Sequence, residues 1–578
     1  MITIYNFFIK KHTSITLFTI FIILLLLVFR SLISNMNTNL LDWFDYPYYA
    51  WVVNGNINKI LTFDFSNLFN TNAFYPNMNS LFFSDLLIPQ SILGIPARFF
   101  TNNPIIVFNT VFLTTFVLNY VCSYIFWEKV FDKVWVAFIG TLLIVFSPFF
   151  HSQMFHFQMI SFWPFFLTLY YLVCSKNSKS FKYFLLAGFF LAVQFLASVY
   201  LGIFLIFSIL IFYAVEIIFQ RKNLLGTFKG FLIIFGVFIL LDGIFIKGYF
   251  NTKKMYKTQR DYGEYVQYSA HLSDYLFTQD YKSALGSDPI LDRWNSFNKH
   301  SVGERALFPG FLITIFGILG IFSLRKLKND ISLNTSFNRE RLLFIILLVT
   351  GLIFSLGPRL NFNGAYAYIP LPYHFLVKYL PLIDSIRAVG RWSFLFYLGL
   401  TYFALTSIKS FSGKKILPFF IIVIFFIEYF PTSLSSQGNT YLSADDTVLK
   451  NLCSIKKTVV LEFPVTHFST KGNIADGLSY ITKRQLASLT NKCFLINGYS
   501  GYDLPSLITM DGNLSTAIKG NDIKTMDSLL KQSGANILHI NWQNVPDIET
   551  FPLSNVVSRL VKEGSASKIG EGIFIINK

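Results

Sequence analysis

Acidic residues are scarce in this chain of 578 residues: 31 Asp and Glu stand against 48 Lys and Arg, and charged residues of both signs make up only 14% of it. Signature motifs are missing as well. There is no P-loop, dinucleotide fingerprint, metal-spaced Cys/His cluster or nucleophile elbow, which argues against ATP-driven work. Internal repeats and low-complexity tracts are also absent. What the chain has instead is apolar surface, with 53% hydrophobic and 18% aromatic residues, far more than a soluble domain needs. That composition reads as a multi-pass membrane protein. Apolar runs such as Thr13–Leu32, Pro104–Phe126, Phe231–Ile246 and Ile416–Tyr429 approach the roughly 30 Å that a helix must cross. A β-barrel would show alternation over short strands and is excluded.

The formal charge of +17 is topology information here. Lys10 and Lys11 precede the first run, and further basic residues fall at Lys129 and Lys133, Lys176 to Lys182, Arg221 to Lys229, Arg325 to Arg341 and Lys409 to Lys415. Placing those connections in the cytoplasm gives about eleven spans, a cytoplasmic N-terminus and an extracytoplasmic C-terminus. The first run lacks a small-residue cleavage site and ends at Arg30, so it reads as a retained anchor. The expected architecture is an α-helical polytopic membrane domain over 1–435, with extracytoplasmic loops 33–103, 247–305 and 357–390. A soluble extracytoplasmic α/β domain over 436–578 follows it. The tail earns that reading through "KKTVVLEFPV", "DIKTMDSLLKQSGANILHINW" and "ASKIGEGIFIINK", which pair β-branched runs with an amphipathic helical pattern. "YPYYAWVVNGNINKIL" in the first loop reads as a helix along the membrane surface.

Four cysteines divide between the two parts: Cys122 and Cys174 near inner ends of spans are expected as free thiols, and Cys453 with Cys493 in the outer domain as a disulfide. Polar candidates collect near the outer boundary. Asp42 and Asp45 in "NLLDWFDYPYYAW" are three apart and share a face if helical; they are either loop residues capping a helix or partly desolvated carboxylates competent as a base. Asp85 sits alone in an apolar run, where it either caps a short helix or serves function. His156 and Gln158 could bind a sugar or phosphate, whereas His151 reads as an interfacial histidine. Glu304 joins this polar set. Arg387 and Arg391, four apart, read as one helical face that meets either lipid headgroups or a specific phosphate.

The order of "DYPYYAW", "FYPNMNSLFFSDLL", "SPFFHSQMFHFQMISFWP", "GERALFPG", "FSLGPRL", "LPLIDSIRAVGRW", "VVLEFPV" and "NGYSGYDLP" resembles the bacterial and archaeal GT-C-type multi-pass glycosyltransferases, over nearly the whole chain. The resemblance implies an enzyme that takes a sugar from a polyprenyl-phosphate donor in the bilayer and gives it to an extracytoplasmic glycan, lipid or protein acceptor, with no nucleic acid involved. By position it implies a first-loop base at Asp45, with Asp42 orienting it or touching a divalent metal ion, and a second acid at Asp85. It further implies a His-x-Gln at His156 and Gln158, and phosphate contacts at Arg387 and Arg391. The chain departs from the family's usual Glu-His in the second-loop motif, where it has Asp85 and Leu86. The other expectations are a transporter or flippase for a lipid-linked glycan, and a non-catalytic glycan-binding membrane protein.

Overall fold

Long apolar runs in this chain fold as helices because a helix satisfies every backbone polar group internally. The computed structural model describes residues 2–178, 180–219, 224–258, 260–276, 303–322, 336–362, 365–380, 383–411, 417–429 and 436–577. Part of the expected loop 247–305 (277–302), of loop 357–390 (363–364 and 381–382) and of the basic connections (179, 221–223, 325–335 and 412–415) lies outside the described residues. Two compact units are present. One comprises Met1–Ser31, Leu113–Gly243 and Arg260–Leu434; the other comprises Leu32–Phe112, Ile244–Gln259 and Ser435–Lys578.

The first unit is helical. Among the described residues five helices are long and apolar enough to cross a membrane, within Pro104–Phe131, Val134–Ser152, Phe157–Lys176, Val199–Phe219 and Leu224–Tyr256. Shorter apolar helices are His12–Val28, Phe181–Ala197, Phe311–Phe322 and Phe419–Glu428. The sequence expectation of about eleven is larger. Ser336–Ser355 and Ser393–Ser410 are of spanning length, but the first carries Arg339, Glu340 and Arg341 and the second is rich in hydroxyls. Ser393–Ser410 is buried along almost its whole length. Its neighbours come close because they present glycine: a Cβ on Gly320 would stand 2.0 Å from the Phe403 carbonyl oxygen, and one on Gly351 would stand 2.2 Å from the Phe396 nitrogen. Small residues at such crossings let backbones approach, which is how helices associate in lipid.

The second unit holds a five-stranded sheet of β1 (Val459–Phe463), β2 (Phe494–Leu495), β3 (Ile537–Ile540), β4 (Ala566–Lys568) and β5 (Ile573–Ile576), in the order β2-β1-β3-β5-β4. Strands β2, β1 and β3 are parallel, and β5 and β4 close the sheet antiparallel. Helices Ile474–Asn491, Pro505–Lys519 and Ile523–Gln532 make the crossovers, so β1 and β3 are buried throughout. A disulfide joins Cys453 to Cys493, 40 residues apart; Cys122 and Cys174 in the first unit are free and buried.

The compact unit that holds Ser435–Lys578 also takes in residues 32–112 and 244–259. Leu495 of β2 donates its N–H to Asn72 at 2.7 Å and accepts that of Tyr75 at 2.8 Å. Asn72 Nδ2 bonds to Ser488 and to the Cys493 carbonyl, and Trp51 Nε1 bonds to Asn72. Helix Tyr46–Leu61 packs on Ile474–Asn491 and Ile88–Arg98, and from Tyr46 to Ile57 only Gly55 is not fully buried. The helix read as lying on the membrane surface is therefore enclosed by protein, because its aromatic side chains are used in packing.

Candidate active site

Asp42 and Asp45 stand at the entry to helix Tyr46–Leu61. One oxygen of Asp42 accepts the N–H groups of Phe44 at 2.7 Å, Asp45 at 2.8 Å and Tyr46 at 3.3 Å, supplying partners that a first helical turn lacks. Its other oxygen is buried and meets no hydrogen-bond donor among the described residues. Burial, then the charge of Asp45, pushes the Asp42 carboxyl up to about 7 against the pull of those three amides. Asp45 occupies the N-cap position and is only half-buried. Asp85 is buried. Tyr48 links them: its phenol is pushed up by burial and, against its bond with Ser84, by the charges of Asp85 and Asp45. Tyr249 steadies this loop by donating to the Ser84 carbonyl at 2.9 Å, as Tyr256 does to that of Met78. Among the described residues no three His, Cys, Asp or Glu side chains are grouped to hold a metal ion.

Five of the other candidates, His156, Gln158, Glu304, Arg387 and Arg391, lie in the first unit, and three of them converge. Glu304 accepts from Arg391 Nε at 2.9 Å and, through its other oxygen, from Arg391 Nη2 and from His156 Nε2, the last at 2.9 Å. Burial works against its charge, but Arg391 and then His156 outweigh it and hold the carboxyl well below the usual range. Arg391 is buried, with its guanidinium 4.9 Å from the Tyr200 ring centre. Arg387 is half-buried, 5.1 Å from the ring centre of Tyr268. The two arginines do not share a helical face as expected. The Tyr200 hydroxyl takes the N–H groups of Arg387 and Ala388, and the Tyr268 carbonyl takes that of Gly390, which draws the backbone into a short turn at Val389–Trp392. Gln158 is buried, its side-chain oxygen without a donor among the described residues, and His151 lies in the short helix Pro148–Ser152.

Sequence reasoning missed a third cluster. Glu462 of β1 and His539 of β3 are register partners, with His539 Nδ1 2.6 Å from one Glu462 oxygen. Arg484 gives Nε to Glu462 at 3.0 Å and two nitrogens to Asp446 at 2.9 Å each. The far side of His539 meets Asp445 at 3.3 Å. Burial opposes the charge of Glu462, yet Arg484 and His539 lower its carboxyl, and Glu462 with Asp445 raises the imidazole against its own burial. The available signal was one ionisable residue inside each of two apolar strand runs, "VVLEF" and "ILHI".

A family described as a domain of unknown function, DUF6311, matches residues 62–429, more than half of the chain. The chain belongs to the DUF6311 family. The matched span of this DUF6311 chain contains Asp85, His156, Gln158, Glu304, Arg387 and Arg391, while Asp42, Asp45 and the α/β tail lie beyond it. No curated protein matches the chain. Among solved structures, it is similar to the oligosaccharyltransferase of Archaeoglobus fulgidus in its apo form, at 14% identity and a TM-score of 0.50, over 92% of this chain and 70% of that one. The same enzyme tethered by a disulfide to an acceptor peptide containing the NVT sequon gives 12% identity and a TM-score of 0.50, over 92% and 69%. At these identities the likeness is one of fold.

Proposed function

We propose that the chain is a membrane glycosyltransferase that moves a sugar from a polyprenyl-phosphate donor to an extracytoplasmic acceptor, with its N-terminus in the cytoplasm and its α/β fold outside. The observation that carries this reading is a half-buried carboxylate, Asp45, held at a helix entry beside a buried acid near neutrality, Asp42, in a chain with the fold of an oligosaccharyltransferase. Asp45 takes a proton from the acceptor hydroxyl, whose oxygen attacks the anomeric carbon. The bond from that carbon to the donor's phosphate oxygen breaks, and the phosphate leaves with the electron pair. In the first unit, taken by itself, Arg387 is proposed as a phosphate contact. Arg391, engaged by Glu304, is a positioning residue, as is His156. Asp42 sets the helix entry, and Asp85 acts on the same phenol as Asp45.

The test is Asp45→Asn, which keeps shape and removes the basic oxygen. Turnover is expected to fall about 10²-fold or more at unchanged folding, read as sugar transfer from extracted lipid-linked donors by the chain in nanodiscs. Transfer at the wild-type rate would return Asp45 to a cap, and build-up of a complete lipid-linked glycan inside a deletion strain would favour a flippase.

A further inference from the structure

Strand β1 runs out into a turn that is braced with unusual care. Thr466 donates its hydroxyl to Asp511 at 2.6 Å, Ser469 bonds back to the Thr466 carbonyl at 3.0 Å, and Thr470 bonds to that of His467 at 3.1 Å. The turn sits so close to helix Ile474–Asn491 that a Cβ on Gly477 would stand 2.2 Å from the His467 oxygen. It holds Phe468 outward, 57% exposed, with the His467 ring centre 3.9 Å away. From there the rings continue inward. His467 is 6.0 Å from Tyr499, Tyr499 is 5.7 Å from Tyr48, and Tyr48 is the phenol on which Asp45 and Asp85 act. A Cβ on Gly501 of the same loop as Tyr499 would stand 2.8 Å from the Phe83 oxygen, two residues before Asp85.

We propose that the outer end of this row, exposed Phe468 with half-buried His467 and Tyr499 at the carboxyl ends of β1 and β2, is a carbohydrate subsite that seats a pyranose of the acceptor glycan. The inference rests on the transferase reading and names the class of its acceptor. Aromatic faces take the C–H faces of a sugar. Asp503, with its side chain 48% exposed and 4.0 Å from His467 Nδ1, supplies a carboxylate beside them for hydroxyls. Open α/β sheets take ligands at the carboxyl ends of their strands. Strand addition of an extended peptide needs an open sheet edge, and the β2 edge beside these rings already pairs with Asn72 and Tyr75, which disfavours that mode of peptide binding.

The full chain in lipid nanodiscs is titrated with methyl α-glucopyranoside, methyl α-mannopyranoside and diacetylchitobiose, and separately with a peptide containing Asn-Val-Thr. Saturation transfer from the protein's aromatic protons is the readout. At least one sugar is expected to bind, about tenfold more weakly to Phe468→Ala and to Tyr499→Ala, and the peptide is expected to give no signal. Phe468 is exposed, so its variant keeps the fold, which thermal unfolding verifies. Equal sugar binding by wild type and both variants, binding of no sugar, or binding of the peptide alone would overturn the subsite whatever Asp45→Asn does to transfer. Wild-type transfer by Asp45→Asn combined with ring-dependent sugar binding would instead remove the catalytic reading and leave the subsite standing.

Discussion

Glu462 and Asp42 are both buried carboxylates of one compact unit, and their surroundings push them in opposite directions. Glu462 is met by a guanidinium, an imidazole and the Tyr480 hydroxyl, and its carboxyl is lowered. Among the described residues Asp42 is met by backbone amides and a second carboxylate, and its carboxyl rises to about 7. Burial is common to both, so the sign is decided by the charge of the neighbours. A saturated carboxylate such as Glu462 is fixed in one protonation state and serves architecture. A carboxylate without a counter-cation stays close to the point where a proton can be exchanged, as Asp42 does at the entry to helix Tyr46–Leu61.

The strongest way to break the contrast is Arg484→Ala, which strands Glu462 and Asp446 without their cation. A loss of roughly 3–5 kcal/mol is expected, measured by thermal unfolding of the full chain in nanodiscs; a variant as stable as wild type would mean the network is not what holds the sheet to its helices. Arg391→Ala poses the question for Glu304, where His156 remains as a partner, and should cost less, about 2 kcal/mol. Its stability loss should exceed that of Arg387→Ala, and equal losses would deny Arg391 its positioning role. Asp42→Asn should differ from both in sign and give a gain. The amide oxygen still accepts the three N–H groups while the buried charge is gone. Because the folded carboxyl of Asp42 lies above its value of about 3.8 in the open chain, the stability tied to its proton is complete below that pH and lost as pH climbs through about 7. The asparagine variant should therefore melt above wild type at pH 8 and alongside it at pH 3.5. A constant gap across that range would show that Asp42 is not buried in its charged form.

Much of this was legible in the chain. Apolar runs announced helices and "VVLEF" and "ILHI" announced strands, because each signal is carried by neighbours in sequence. What stayed hidden depends on distant partners. Arg391 was read as a phosphate contact from its spacing to Arg387, whereas Glu304, 87 positions away, claims it. Helix Tyr46–Leu61 looked amphipathic enough for a membrane surface because the helix that covers it, Ile474–Asn491, lies in the tail. The arginine pair was read at helical spacing, and the tyrosines that bend its backbone, Tyr200 and Tyr268, come from two other segments.

The grip of Asn72 on Cys493, 421 positions later, has a consequence for how the protein is made. At roughly 5–20 residues per second, the ribosome delivers β2 some 20–80 s after the first loop has emerged. Until then the helix that follows Asp45 has no Ile474–Asn491 to cover it, and its aromatic side chains await a surface that does not yet exist. The loop's final form is thus one of the last events of biosynthesis, and a nascent chain halted before residue 474 should leave Tyr46–Leu61 open to proteolysis while helices made earlier are already protected.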